Sequence, residues 1–412
     1  MAVATRTQQT QPTGAWERQD LLNGCQAVAQ GVRLADVDVI AAYPIRPYTE
    51  VMDALSKIIA DGQLDAEYII ADSEHSQFEI VKHAASVGAR SFAGSSGTGW
   101  MYGMEALVVT ATDRLPPLFL VGNRALDDPG AFGVEHNDAM AVRDMGWLLC
   151  WATTAQEALE HVLIGYRVAE DQRVLMPMAL AMDGAFLTHS QHMVQVPSTE
   201  AVKRFLPRFD LGKRVLHPDN PISIAPQVNE DWVMELRRQN WEAARRARPV
   251  IAEAYKEFNK IFGERYSSPF FTEFMTDDAE IVLVGLGAVA MPARTAVRRM
   301  RDQGQKVGYV GLRWFRPFPS VELRELLGKF KGVGIIDRDC AHGSPDSGGI
   351  LFHDMRSCLY PLTKRPVMTN FIGGLGGRDI SIDDCIKMFD MTKHAADKGM
   401  EDVAVTWIGL RE

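Results

Sequence analysis

Val37-Asp38-Val39-Ile40-Ala41-Ala42-Tyr43-Pro44-Ile45-Arg46-Pro47-Tyr48-Thr49-Glu50 is the stretch that decides the fold. Residues 37–44 read as a buried strand running into a turn, and residues 47–61 as a helix. Working outward, residues 20–35 read as a helix. Residues 66–70 are a strand, residues 73–88 a helix, and residues 91–94 and 117–121 two further strands. Strands alternating with helices predict a parallel α/β layer. Strands that are apolar throughout fit a sheet covered on both faces. A second α/β unit starts near Asp277, with strands at residues 279–285, 306–311 and 334–337 and an amphipathic helix at residues 292–303. Between the units, Pro207, Pro218 and Pro221 break the pattern, and residues 229–261 read as one long charged helix. The expected boundaries are a flexible N-terminal arm (1–17), a parallel-sheet domain (18–190), a helical linker region (191–265) and a second α/β domain (266–412).

Bulk properties exclude several classes. The chain has 412 residues, 46% hydrophobic and 24% charged, enough to bury a large core without disulfides or a structural metal. A net charge of -9 argues against nucleic acid and anionic membrane as main partners. The five cysteines are scattered, with no CxxC, which argues against an iron–sulfur cluster or zinc held wholly by this chain and suits a reducing cytoplasm. No apolar run is long enough for a membrane span, and the N-terminus has no secretory pattern.

Four segments could carry chemistry. Ligands of parallel α/β sheets bind at the carboxyl ends of strands, where Arg46 falls. Arg46 is there either a surface arginine after a turn or a carboxylate ligand at a helix N-terminus. In Asp72-Ser73-Glu74-His75-Ser76-Gln77, Asp72 or Ser73 suits a helix N-cap, and Glu74 could serve the cap or reach a ligand. Gly94-Ser95-Ser96-Gly97-Thr98-Gly99 lacks the GK[ST] ending of a phosphate loop and reads as close backbone packing. Arg124 ends a buried strand before a glycine-bounded loop with acidic residues and one phenylalanine, Phe132, in which Gly130 and Gly133 would permit movement. Glu135-His136-Asn137-Asp138 invites a metal reading, but adjacent ligands on a short loop rarely converge, so no metal ligands are assigned.

Taken together, the motifs resemble the 2-oxoacid:acceptor oxidoreductase family, which includes pyruvate:ferredoxin oxidoreductase. The family's YPITPSS motif corresponds to Tyr43-Pro44-Ile45-Arg46-Pro47-Tyr48-Thr49, its glutamate turn to Ser73-Glu74, and its substrate arginine to Arg124. Asp183-Gly184-Ala185-Phe186 with Thr188-His189 is similar to its DGF signature. Arg313-Trp314-Phe315-Arg316-Pro317-Phe318-Pro319, Ile336-Asp337-Arg338 and Gly373-Gly374-Leu375-Gly376-Gly377-Arg378-Asp379-Ile380 are similar to R-x-FRPFP, LDR and GGLGGRDI. The order of motifs, from about residue 18 to 390, carries the resemblance.

The resemblance implies a thiamine-diphosphate pyrimidine-type domain followed by a transketolase C-terminal-like domain, in the alpha subunit of a cytoplasmic enzyme that is inactive alone. It implies that Glu74 is catalytic at the aminopyrimidine of thiamine diphosphate, with Ile45 beside that ring. It further implies that Arg124, Arg46, Tyr48 and Phe132 bind the substrate, and that the GGLGGRDI run is a glycine turn at a domain contact. Partners would be a beta subunit holding diphosphate and Mg²⁺, a gamma-type subunit, a ferredoxin-like subunit with [4Fe-4S] clusters, and an NAD-reducing flavin subunit with FAD. Electrons would pass to NAD or ferredoxin, with coenzyme A taking the acyl group. One departure matters: Arg46 stands where the family has threonine. It shifts the expected substrate from pyruvate to phenylglyoxylate, whose ring Arg46, Tyr48 and Phe132 could wall. Oxalate, pyruvate or another 2-oxoacid, and a non-catalytic scaffold role, are the alternatives.

Overall fold

The computed structural model describes residues 14–127, 129–400 and 402–411. The first unit comprises β1 (Trp16–Leu22), α1 (Gly24–Leu34), β2 (Val39–Ala42), α2 (Thr49–Ala60), β3 (Glu67–Ile70), α3 (Glu74–Ser86), β4 (Ser91–Ser95), α4 (Gly97–Tyr102), α5 (Met104–Thr112), β5 (Leu118–Asn123), α6 (Asn137–Met140), β6 (Leu148–Ala152), α7 (Ala155–Ala169), β7 (Met178–Asp183), β8 (His192–Pro197), α8 (Thr199–Phe205) and α9 (Glu230–Phe262). The second comprises β9 (Phe271–Phe274), β10 (Ile281–Leu286), α10 (Ala290–Asp302), β11 (Val307–Leu312), β12 (Trp314–Arg316), α11 (Ser320–Leu327), β13 (Gly332–Asp337), α12 (Ile350–Leu359), β14 (Val367–Gly373), α13 (Ile382–Lys398) and β15 (Asp402–Ile408). No helix among the described residues is long and apolar enough to cross a membrane.

The fold is α/β with a mostly parallel sheet in each unit. The first sheet runs β12-β6-β7-β5-β4-β2-β3 and the second β15-β14-β13-β10-β11-β9. In each, one edge strand is antiparallel: β12 on β6 and β9 on β11. The central strands β4, β5, β6 and β7 are buried along their whole length, as apolar runs covered on both faces should be. The edge strand β3 departs from that expectation, because it has a neighbour on one side only and Ile70 is 61% exposed.

Three expectations are corrected. Residues 1–13 of the expected arm lie outside the described residues, but Trp16 and Glu17 belong to β1, which pairs antiparallel with β8. The helix expected over residues 20–35 therefore begins at Gly24, because Asn23 caps it with a full capping box. Residues 191–265 are built into the first unit and are not a separate linker: β8 pairs with β1, and the second half of α9 buries Ala247, Ile251 and Phe258 in the core it shares with α7 and α8. Phe205 of α8 meets Phe258 edge-on at 5.3 Å.

β12 shows how the units are joined. The second unit contributes this strand to the first unit's sheet, with Trp314 opposite Cys150. Beside it, the Arg313 guanidinium is buried, pairs with Glu157 at 3.3 Å and donates to the Ser268 carbonyl at 2.7 Å. Burial alone would raise the Glu157 carboxyl, but Arg313, His161 and Thr153 hold it down at about 2. His161 lies in the same layer, between Cys150 and the Tyr255 hydroxyl and stacked on Tyr266. Burial, against the pull of Glu157 and with the push of Arg313, drives it down to about 3. Its folded pKa is thus below its unfolded value, and between about pH 6.5 and 3 the unfolded chain binds the extra proton. Acidification below pH 6.5 is therefore expected to cost about 1.4 kcal/mol of stability per pH unit from this residue. Urea unfolding of wild type and His161→Gln from pH 6.5 to 5 measures the difference; parallel slopes would refute it.

Candidate active site

The carboxyl ends of β2, β3, β4 and β5 converge on one face, and the sequence-predicted residues lie there. Ser73, not Asp72, caps α3 by accepting from the Ser76 amide, so Glu74 is the first helical residue. A carboxylate in a first helical turn is favoured by the helix dipole. Glu74 is buried, yet its carboxylate has no hydrogen bond or ion pair among the described residues. Space for it is made by Gly99 of α4: a Cβ at that position would lie 2.2 Å from Glu74 Oε1 and 2.5 Å from Ile45 Cδ1. Ile45 and Glu74 are thus brought together over a glycine, as the close-packing reading of the Gly94–Gly99 run anticipates.

Gly97, two residues before, has φ +51° and serves the other half of the site. A Cβ there would lie 3.0 Å from Arg124 Nε. The Arg124 side chain is buried and donates to the Arg46 carbonyl at 3.2 Å and to Asp127 Oδ2 at 3.0 Å. Its guanidinium also lies 5.4 Å from the Phe132 ring, which is 71% exposed. Arg46 therefore contributes its backbone to Arg124, while its side chain is exposed. Tyr48 falls out of the set. It is fully buried, its ring fills the space over Gly94 and tilts against Phe92, and it can wall no open pocket. The residue sits at the N-cap of α2, where the backbone turns its side chain into the core.

Asp138 is the residue whose role the sequence did not reveal. It is fully buried and accepts from the amides of Gly97 (2.9 Å), Arg124 (3.0 Å) and Ala139 (2.7 Å) and from Asn123 Nδ2 (2.8 Å). Burial pushes its carboxyl up, and these four bonds oppose the push. It fixes the glycine turn and the substrate-arginine candidate to one another. Its neighbours stitch the two units together. The His136 amide donates to the Arg338 carbonyl at 2.9 Å while its ring meets Asp183 within the first unit, Asn137 exchanges two bonds with the Cys340 backbone, and Glu135 accepts from the Gly376 amide. Among the described residues, no three His, Cys, Asp or Glu side chains are grouped to hold a metal ion. A run of polar residues each with a different distant partner has no local signature.

Gly133 is also corrected from hinge to contact. A Cβ there would lie 2.1 Å from the Gly376 carbonyl oxygen, so the glycine turn of residues 373–380 packs directly on this loop, as a domain contact. Asp183, at the end of β7, accepts from the Ala288 amide at 3.0 Å on the facing unit. Burial would raise its carboxyl, but His136 and Arg338 hold it below the ordinary range.

The geometry makes Gly99 testable. Alanine suits a helix better than glycine, so Gly99→Ala should leave the fold intact. The added methyl must displace Glu74 or Ile45, however. Any reaction that uses this carboxylate is expected to slow about 100-fold with an unchanged melting temperature, since misplacement by about 1 Å has that effect. Turnover within twofold of wild type would show that this carboxylate position is not used.

Comparisons with known proteins identify the family. Residues 30–256, more than half the chain, match the family described as pyruvate flavodoxin/ferredoxin oxidoreductase, thiamine diphosphate binding. Residues 279–385 match core domain II of pyruvate:ferredoxin oxidoreductase. Pyruvate synthase subunit PorA of Pyrococcus abyssi is 38% identical over 387 residues, covering 94% of this chain and 97% of its own. Ketoisovalerate oxidoreductase subunit VorA of the same organism is 34% identical, covering 95% and 98%. The 2-oxoglutarate:ferredoxin oxidoreductase of Magnetococcus marinus superposes with a TM-score of 0.68 at 15% identity, over 91% of this chain and 65% of that longer one. A split-gene transketolase shares the fold at a TM-score of 0.53 and 12% identity. By the extent of these matches, the chain belongs to the pyruvate flavodoxin/ferredoxin oxidoreductase family, as a homologue of its PorA and VorA subunits.

Proposed function

We propose that this chain is the alpha-type subunit of a multi-subunit 2-oxoacid oxidoreductase, and that it closes over the aminopyrimidine end of thiamine diphosphate. One observation carries the reading: a buried, unpartnered carboxylate, Glu74, stands beside Ile45 over a glycine and shares the Gly97–Gly99 turn with a buried arginine. These residues fit an aromatic heterocycle with a protonatable nitrogen. Glu74 holds and moves a proton at ring nitrogen N1′, and Ile45 packs on the ring. When bound, thiamine diphosphate supplies the nucleophilic carbon and electron sink that decarboxylation of a 2-oxoacid needs. Arg124 takes the substrate carboxylate, exchanging it for Asp127 in a like-for-like replacement. Diphosphate, Mg²⁺ and iron–sulfur clusters fall to partner chains, and Ile70, Phe132 and Tyr102 are exposed where such a chain would cover the site.

The substrate reading moves from phenylglyoxylate to pyruvate or a similarly small aliphatic 2-oxoacid. The relatives are named for pyruvate and ketoisovalerate. The aryl reading also loses one of its walls with Tyr48 in the core. Phe132 and the Arg46 side chain remain at the mouth, where they set the size of the acceptable 2-oxoacid. The test is a panel of pyruvate, ketoisovalerate, oxalate and phenylglyoxylate on the native complex. Pyruvate is expected to give the highest kcat/KM; phenylglyoxylate or oxalate leading by tenfold would overturn the assignment.

A further inference from the structure

A second surface lies on the first half of α9 and the segment before it. A cleft of about 720 Å³ is walled there by apolar side chains, among them Ile222, Val228 and Leu236, and by Arg114, Arg214 and Arg237. Asp113 is the single carboxylate lining it. None of the three arginines has an ion-pair partner among the described residues: Arg114 donates to the Val174 carbonyl and Arg214 to the Asp113 carbonyl. Arg114 Nε is buried without a partner. Burial, with Arg214 and Arg246 close by, pushes the Arg114 guanidinium down to about 10. The cleft is thus cationic and partly desolvated in a chain of net charge -9. Beside it, Trp232 is 62% and Met234 78% exposed, and Trp241 lies between Arg238 and Arg245 at 4.6 and 4.9 Å.

We propose that this face docks an acidic, apolar segment of another protein of the assembly, which rests on the reading that the chain works as a subunit. Tryptophan, methionine and arginine are the residues enriched in interface cores. A carboxylate entering the cleft relieves the repulsion among the arginines and supplies the ion-pair partner they lack. A second copy of this chain is a poor occupant, because a two-fold contact places the arginine face on itself. Residues 1–13 do not complement it either, having Arg6 and no acidic residue. A small anion would satisfy the arginines but leave Trp232 and Met234 bare.

The test replaces Met234 with p-benzoylphenylalanine in the full chain, assembles the native complex, and identifies photo-cross-linked peptides by mass spectrometry. Cross-links to an acidic segment of a different subunit are expected. The double variant Arg214→Glu/Arg237→Glu should weaken that subunit's binding at least tenfold while the melting temperature of the isolated chain stays unchanged. Cross-links only within this chain or to a second copy would overturn the proposal. So would undiminished binding by the double variant. Stabilisation of the wild-type chain by inorganic phosphate, without cross-links, would make the cleft a small-anion site instead. A chain that assembles with no partner sinks the proposed function itself; assembly that survives charge reversal sinks only this docking.

Discussion

Glu74→Gln is expected to lower turnover of the assembled complex by about 100- to 10,000-fold, the range for losing a positioned proton-transfer group. Among the described residues the Glu74 carboxylate has no hydrogen bond or ion pair to lose, so the variant removes no partner. The amide keeps the shape and even the hydrogen-bonding reach of the carboxyl, but it cannot take and return a proton. Its helix-dipole contribution is worth only about 0.3–1 kcal/mol, so the melting temperature should shift by at most a few degrees. Binding of thiamine diphosphate to the complex, followed by calorimetry, should persist with reduced affinity. Wild-type turnover in Glu74→Gln would leave the chain a scaffold that kept the fold and lost the chemistry.

The second large effect is on Arg124. Arg124→Ala should lower kcat/KM for the 2-oxoacid by about 100-fold, mostly through KM. Losing a charge-assisted bond to a carboxylate costs about 1.5–3 kcal/mol, and a bidentate pair lies at the upper end. Arg124→Lys should recover only part, because a point charge cannot match the carboxylate fork. The structural share of the effect is separable. Asp127, about one-third exposed, remains solvated once its partner is gone, and among the described residues the Arg46 carbonyl is the only other acceptor left bare. Asp127→Asn supplies the opposite arm. It removes the carboxylate that competes for Arg124, so KM should fall while kcat changes little. A rise in KM for Asp127→Asn would instead make Asp127 a residue that positions the arginine.

Some of this site was legible before any coordinates. The strand–turn–helix at residues 39–60 and the buried strand that ends just before Arg124 follow from near neighbours, which leave the cap of α3 open between Asp72 and Ser73. Apolar period, cap chemistry and turn residues act within a few positions, so a linear reading finds them. The family resemblance followed from the order of such segments. Tyr48 shows the limit. A tyrosine two residues after Arg46 looks like a ligand wall, and only the proximity of Gly94 and Phe92 reveals it as core. Gly99 is similar: nothing near it in sequence says that its missing Cβ is the room for a carboxylate 25 residues away.

By itself, then, the sequence determined two α/β units, the strand ends on which the chemistry lies, and the residue types offered there, because those depend on local periodicity and capping. The tertiary structure alone decided the rest. It set β1 against β8, inserted β12 into the first sheet, and made Asp138 the tie between Gly97 and Arg124. It turned Glu135, Asn137 and the His136 backbone into stitches between units and Gly133 into a contact. Each of these joins residues far apart in the chain. Such pairings are selected by which buried polar group finds a partner and which glycine leaves room, and those are properties of the packed molecule.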